Sequence, residues 1–154
     1  MLKQYHHIQV AVDGSEESKI AFEKAAHIAH QNSASLDIIH VIDTRAFQNV
    51  SSFDSAMVEQ VSVDAEAEMK KYYQQAKEMG VENVKYDVLF GSPKVLIAHD
   101  YPKEHDIDLI ILGATGLNAV ERLLIGSVTE YVSRTAESDV LVVRTNKDNQ
   151  PKEK

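Results

Sequence analysis

The sequence predicts an α/β protein in which a five-stranded parallel sheet is covered by helices on both faces. Short apolar segments alternate with longer segments in which apolar residues recur at helical spacing, a pattern typical of strand–helix–strand units. Residues 109–112 are wholly apolar, as expected of a central strand buried on both faces. The chain has 154 residues, which is enough for one domain with a substantial core and too few for two.

The first strand and helix are predicted at residues 8–12 and 15–31. Asp13 and Gly14 form a turn between them, and Ser15 is suited to cap the helix. His27 and His30 lie opposite the apolar face of this helix. We interpret them as solvated rather than metal-binding, because no carboxylate cluster accompanies them.

A second strand is predicted at residues 36–41, followed by a long polar connection over 43–55 and a long helix. His40 is interpreted as a tolerated strand residue. The apolar residues of the helix recur about every four positions: Met57, Val61, Ala65, Met69 and Tyr72 or Tyr73. Gly80 is the expected glycine at the end of this helix.

The remaining elements are strands at 84–89, 109–112 and 140–143, with helices between them. Ser92 and Pro93 predict the start of one helix, which we expect to end near residue 101. Another helix is expected from Ser127 to about residue 136. We therefore predict one domain over residues 1–145, followed by a disordered polar tail at 146–154.

Composition narrows the functional classes. The formal net charge is −8 and there is no cysteine. The charge argues against broad binding to nucleic acid or anionic membranes, and the lack of cysteine excludes a disulfide scaffold. No apolar run approaches the length of a bilayer span, and the first residues do not resemble a signal peptide, so we expect a cytoplasmic protein.

The stretch after the predicted strand 109–112 is the strongest functional signal. Gly113 and Gly116 follow the strand, and Gly126 and Ser127 precede the next helix. Glycine lets a phosphate approach the backbone closely, and a helix N-terminus offers unpaired N–H groups and partial positive charge. Ser127, at or near the N-cap, adds a hydroxyl. The alternative is that the glycines are only turn residues and the serine only a cap.

These residues resemble a known signature. Gly113-x-x-Gly116, nine residues and Gly126-Ser127 are similar to the ATP-binding motif of the universal stress protein family. The words Asp106-x-Asp108-Leu-Ile-Ile-Leu-Gly before it and Val140-Leu-Val-Val-Arg144 after it also match. The resemblance extends from about residue 5 to residue 144. It implies strand order 3-2-1-4-5 in a Rossmann-like fold of the adenine nucleotide alpha hydrolase-like type.

The resemblance also implies the binding residues. Asp13 would accept a hydrogen bond from the nucleoside, and the backbone of Val41 would meet the adenine. Arg122 could reach a phosphate or be solvated, and Asp13 could be only a turn residue. The residues expected around ribose and phosphates are Gly113, Gly116, Gly126, Ser127 and Val128. No metal ligands are predicted, so Mg²⁺ would arrive with the phosphates of ATP.

Three functional hypotheses follow. The first is an ATP-binding regulatory protein of the stress response. The second is an ATP hydrolase that uses the same pocket slowly, with Glu121, Arg122 or His40 as candidate participants. The third is a dimeric interaction protein that does not bind ATP, although the intact glycine motif argues against it. The resemblance further implies a homodimer through the last strand, with contacts from Val140, Leu141, Val142 and Val143. The protein partner is not indicated.

Overall fold

The computed structural model describes residues 4–47, 55–116 and 125–145. The strands are β1 (His7–Ala11), β2 (Ser35–Asp43), β3 (Val84–Gly91), β4 (Leu109–Gly113) and β5 (Asp139–Val143). They form one sheet in the order β3-β2-β1-β4-β5, and all four pairings are parallel. The predicted fold class and strand order are confirmed.

The helices lie on both faces of this sheet. They are α1 (Glu16–Asn32), α2 (Ser55–Glu78), α3 (Pro93–Val95), α4 (Tyr101–His105) and α5 (Ser127–Thr135). A 3₁₀ turn spans Thr44–Phe47, and a π-helical turn over Leu96–Asp100 joins α3 to α4. The predicted caps are confirmed at Ser15, whose side chain accepts from the Ser18 N–H, and at Ser92, which accepts from the Val95 N–H.

The core consists of two main layers separated by the sheet. On the face covered by α1 and α2, the rings of Phe22 and Tyr72 pack with centroids 4.8 Å apart. On the opposite face, Tyr101 and Val132 pack among apolar residues from the same strands. All five residues of β4 are buried, as its apolar run predicts.

The predicted boundaries need two corrections. Strands β2 and β3 extend to Asp43 and Gly91, beyond the predicted ends at residues 41 and 89, because the two strands stay paired as far as these residues. The third helical segment continues through a π turn to His105 instead of ending near residue 101. Of the predicted connection 43–55, residues 48–54 lie outside the described ranges.

Pro102 leaves one carbonyl of the π turn without a backbone donor. Within this turn the Tyr101 N–H donates to the Leu96 carbonyl, and Pro102 has no N–H to offer the Ile97 carbonyl. Gln9, fully buried on β1, donates from Nε2 to that carbonyl at 3.0 Å. A side chain from the sheet thus provides the donor that proline removes from the helix.

Within the described ranges, no helix combines the length and apolar character needed to span a membrane. The predicted polar tail, residues 146–154, lies outside them.

Candidate functional site

The carboxyl ends of β1 and β4 lie side by side at the point where strand order reverses. From β1 the chain proceeds to β2 and β3 on one side and then returns to β4 on the other. In doubly wound sheets this junction is where a crevice opens for ligands. Asp13 follows β1, and Gly113 ends β4.

Asp13 is held in a compact turn at this junction. Its N–H lies 3.2 Å from Ser18 Oγ, and its Oδ1 accepts a 3.0 Å hydrogen bond from the Ser15 N–H. Its Oδ2 lies against Gly116, where an added Cβ would overlap that oxygen. The structure therefore brings the residue after β1 into contact with the loop after β4.

The three glycines of the motif have different surroundings. A Cβ on Gly113 would lie 3.1 Å from the backbone of Glu17, so α1 packs directly over the end of β4. A Cβ on Gly116 would meet Asp13. A Cβ on Gly126 would find its nearest described atom, the Cα of Thr115, at an ordinary 3.5 Å.

The two ends of the segment between β4 and α5 are joined by hydrogen bonds. The Gly126 N–H donates to the Ala114 carbonyl at 2.7 Å. Thr129 Oγ1, which is buried, donates to the Gly113 carbonyl at 2.7 Å. Thr129 was not among the residues predicted for the site. The sequence does place this hydroxyl residue one helical turn before Val132, which puts it on the buried side of α5.

Ser127 is not the cap of α5. Gly126 takes the N-cap position with an extended backbone (φ −76°, ψ 168°), and Ser127 is the first helical residue. Ser127 is exposed and Val128 is half-buried beside it. The first N–H groups of a helix have no partner within the helix, so this end of α5 presents backbone donors together with the Ser127 hydroxyl.

Val41 lies across the junction on β2. The Ser35 N–H donates to the His6 carbonyl, and the Ile39 carbonyl accepts from the Val12 N–H. The backbone groups of odd-numbered β2 residues therefore face β1, since both backbone groups of a strand residue point to the same side. Pairing between β1 and β2 ends at Ala11 and Ile39. The N–H and C=O of Val41 thus face the space into which β1 no longer extends.

His40 precedes Val41, and its side chain extends to the carboxyl end of β1. Its Nδ1 lies 2.8 Å from the Val12 carbonyl oxygen. Since a carbonyl can only accept, Nδ1 carries the proton and donates.

Tyr72 is a buried residue of α2 whose hydroxyl lies close to the Asp13 turn. Burial raises the pKa of its hydroxyl, the negative charges of Glu68 and Asp13 raise it further, and a hydrogen bond with Ser18 partly opposes them. The hydroxyl is therefore neutral at ordinary pH. Ser18 thus has hydrogen bonds with both the Tyr72 hydroxyl and the Asp13 N–H, from which its Oγ accepts.

Two other predictions concern charge and metals. Arg122, the predicted cation, and Glu121 lie outside the described residues, so the structure does not locate them. Among the described residues, no group of three or more histidine, aspartate or glutamate side chains is arranged to hold a metal ion. His30 contacts the Gly80 carbonyl through Nδ1 at 3.1 Å.

Together, a doubly wound parallel sheet and a glycine-flanked helix N-terminus at its switch point define an α/β protein of Rossmann-like type. The model of the universal stress protein family matches residues 4–144. The chain belongs to the universal stress protein family.

Relatives and solved structures agree with this assignment. A Staphylococcus haemolyticus protein named as a universal stress protein is 43% identical over 141 residues, covering 92% of this chain and 86% of the relative. A Staphylococcus epidermidis relative is also 43% identical, covering 92% and 85%. The solved universal stress protein UspA from Lactobacillus plantarum has a TM-score of 0.82 and 33% identity, over 93% of this chain and 100% of that chain. Another universal stress protein, solved in complex with cAMP, has a TM-score of 0.71 and 25% identity, over 92% and 98%.

Proposed function

We propose that this chain binds ATP at the junction of β1, β2 and β4 and acts as a nucleotide-dependent regulatory protein in the stress response. The observation that carries the proposal is Gly126. Its backbone conformation is open to any residue, and no described protein atom would crowd a Cβ there. A glycine at a helix N-terminus that the packing of the described residues does not require is explained by a phosphate that needs the space.

The nucleoside end of the proposed site is formed by Val41 and Asp13. The N–H of Val41 would donate to a ring nitrogen of adenine, and its C=O would accept from the 6-amino group. Asp13 would accept from a ribose hydroxyl. This arrangement favours adenine over a base that has a carbonyl at the same position, because two acceptors would then face each other.

The phosphates would follow the loop from Gly113 and Gly116 to the start of α5. The donors proposed there are the backbone N–H groups of Ser127 and Val128, together with the Ser127 hydroxyl, while Gly126 leaves room for the phosphate to approach. Mg²⁺ would be held mainly by the phosphates and water. Arg122 remains a candidate for a phosphate contact.

The related structure in complex with cAMP supports an adenine nucleotide as ligand. We favour ATP because the spacing of Gly113, Gly116, Gly126 and Ser127 resembles the ATP-binding motif of the family, and because the start of α5 presents backbone N–H groups and a hydroxyl. A regulatory role fits donors that hold phosphates without an evident catalytic base among the described residues. A cytoplasmic location, where ATP is abundant, is part of the proposal.

Isothermal titration calorimetry tests the proposal directly. We expect ATP with Mg²⁺ to bind with a Kd in the micromolar range, about −8 kcal/mol. Inosine triphosphate, which has a carbonyl in place of the 6-amino group, should bind about 5- to 150-fold more weakly, since one unmade buried hydrogen bond costs about 1–3 kcal/mol. AMP and cAMP in parallel titrations show what the additional phosphates contribute.

The proposal is wrong if ATP at millimolar concentration gives neither heat nor a thermal shift. Tighter binding of cAMP than ATP would leave an adenine nucleotide site but overturn the choice of ligand. Mass spectrometry of nucleotide released from denatured protein gives an independent answer.

A further inference from the structure

His40 connects the two parts of the corner where we place the nucleoside. It is a half-buried residue of β2, next to Val41, and its Nδ1 donates to the Val12 carbonyl at 2.8 Å. Val12 is the residue immediately before Asp13. One imidazole thus links the strand that would contact adenine to the turn that would contact ribose.

The hydrogen bond from His40 to Val12 lies at the point where the pairing of β1 with β2 ends. The last ladder hydrogen bond runs from the Val12 N–H to the Ile39 carbonyl at 2.9 Å. The next step of a regular parallel ladder would pair the Val12 carbonyl with the Val41 N–H. His40 reaches that carbonyl from its side chain, so β1 can turn away into the Asp13 loop with its last carbonyl still bonded.

The orientation of the Asp13 side chain depends on the hydrogen bonds that hold the turn containing it. From the α1 side, Ser18 accepts from the Asp13 N–H, and the Ser15 N–H donates to Oδ1. From the β2 side, His40 holds the carbonyl of the preceding residue. The peptide plane between Val12 and Asp13 is therefore bonded at both its oxygen and its nitrogen, which fixes its rotation.

We propose that His40 is a positioning residue that orients Asp13 toward the nucleoside. The inference rests on the proposed function, since it names how that site is held. His40 acts through Val12 and Asp13, not through contact with the ligand.

Two substitutions at the same position separate this role from simple packing. His40→Leu replaces the imidazole with an apolar side chain of similar size and so removes the hydrogen-bond donor. His40→Asn can bring its amide N–H near the position of the imidazole Nδ1 and should restore the bond. His40→Gln is a second loss variant if the leucine protein does not fold, since its amide lies farther along the side chain.

A matched control is available on α1. His30 makes the same type of contact, from Nδ1 to the Gly80 carbonyl at 3.1 Å. His30 lies in the last turn of α1, whereas the Asp13 turn precedes the first turn of the same helix. His30→Leu removes an equivalent hydrogen bond without touching the proposed site.

The readout is ATP affinity by calorimetry, with thermal unfolding to confirm that each variant is folded. We expect His40→Leu to weaken ATP binding about 3- to 10-fold, the equivalent of one net hydrogen bond. His40→Asn should recover most of the affinity, and His30→Leu should bind like wild type.

A double-mutant cycle with Asp13→Ala identifies the route of the effect. If His40 acts by orienting Asp13, His40→Leu should have less than about a 2-fold effect once Asp13 is absent. Fully additive losses, or no loss in the single His40 variants, would overturn the positioning role while wild-type ATP binding stands. Absence of ATP binding by the wild type would instead refute the proposed function, and this inference with it.

Discussion

At the scale of single residues, the three glycines of one motif serve three different purposes. Gly113 lets α1 approach the end of β4, and Gly116 leaves room for the Asp13 carboxylate. Gly126 has no such neighbour among the described residues. A motif defined by spacing therefore combines two positions at which packing requires glycine with one at which no described residue requires it.

This difference predicts that one glycine substitution affects mainly ATP binding and another mainly stability. Gly126→Val should abolish ATP binding, because its side chain would occupy the phosphate position, while stability falls by no more than about 1 kcal/mol through the weaker N-cap. Gly113→Ala should lower the free energy of unfolding by about 1–3 kcal/mol, because its Cβ presses on the Glu17 backbone. Calorimetry and urea unfolding measure the two effects separately.

Gly126→Ser serves as the control for the cap, since serine is a good N-cap residue. A folded Gly126→Val protein that keeps wild-type affinity for ATP would place the phosphates elsewhere.

At the scale of elements, Tyr101 attaches the helical segment after β3 to the sheet. Its hydroxyl lies 2.9 Å from an oxygen of Asp37 on β2 and 2.7 Å from one of Asp87 on β3. Lys85 Nζ is 3.7 Å from Asp37, whose side chain is otherwise buried. Burial raises the pKa of Tyr101 far above its ordinary 10.0, and its hydrogen bond to Asp87 and the charge of Asp37 add to this effect.

Tyr101→Phe should therefore destabilise the protein in a pH-dependent way. At neutral pH we expect a loss of about 2–3 kcal/mol, since the buried Asp37 and the half-buried Asp87 lose the hydroxyl donor that they share. The raised pKa of the folded state means that the contribution of Tyr101 is complete below pH 10 and declines as the unfolded tyrosine ionises above it. The stability difference between wild type and Tyr101→Phe should then shrink by about 1.4 kcal/mol per pH unit.

Urea unfolding at pH 7, 10 and 11 measures this difference. A difference that stays constant over this range would show that the tyrosine hydroxyl is not protected from ionisation in the folded protein.

At the scale of the whole molecule, β5 is the edge of the sheet on the side of β4. The Ala114 N–H donates to the Val143 carbonyl, so the backbone groups of Val143 and Leu141 face β4. Those of Val140 and Val142 face outward. An edge of this kind can pair with a second copy of the chain, and the homodimer through β5 remains our prediction.

Val142→Pro is the sharpest test of that dimer. Proline removes one outward N–H without removing a bond to β4, and edge strands tolerate it. We expect a folded monomer by light scattering where wild type is a dimer. Leu141→Lys is less specific, because Leu141 also packs against the core beside α1.

Val142→Thr keeps the N–H and the branched shape, so it should remain dimeric. A wild-type protein that is monomeric at high concentration, or a dimeric Val142→Pro, would contradict the predicted interface.

Any ATP hydrolysis should be slow, below about one turnover per second. Backbone N–H groups and the Ser127 hydroxyl would hold phosphates similarly in the ground and transition states, and such uniform binding does not raise turnover. A steady-state phosphate-release assay measures the rate. A faster rate that Glu121→Gln or Arg122→Ala abolishes would make the protein an enzyme.

The sequence by itself determined the fold class, the order of the elements and the location of the loop and helix start after β4. These follow from local patterns. The apolar run at 109–112, the caps at Ser15 and Ser92 and the glycine spacing are each readable within a few residues.

Only the tertiary structure decided which of these features act together. The contact of Asp13 with Gly116, the reach of Thr129 to Gly113 and the bond from His40 to Val12 join residues 16 to 103 positions apart in the chain. Likewise, the Ile97 carbonyl within the π turn at Leu96–Asp100 accepts its hydrogen bond from Gln9 of β1. Such contacts depend on strand register and on the packing of helices over the sheet, which a local pattern does not contain.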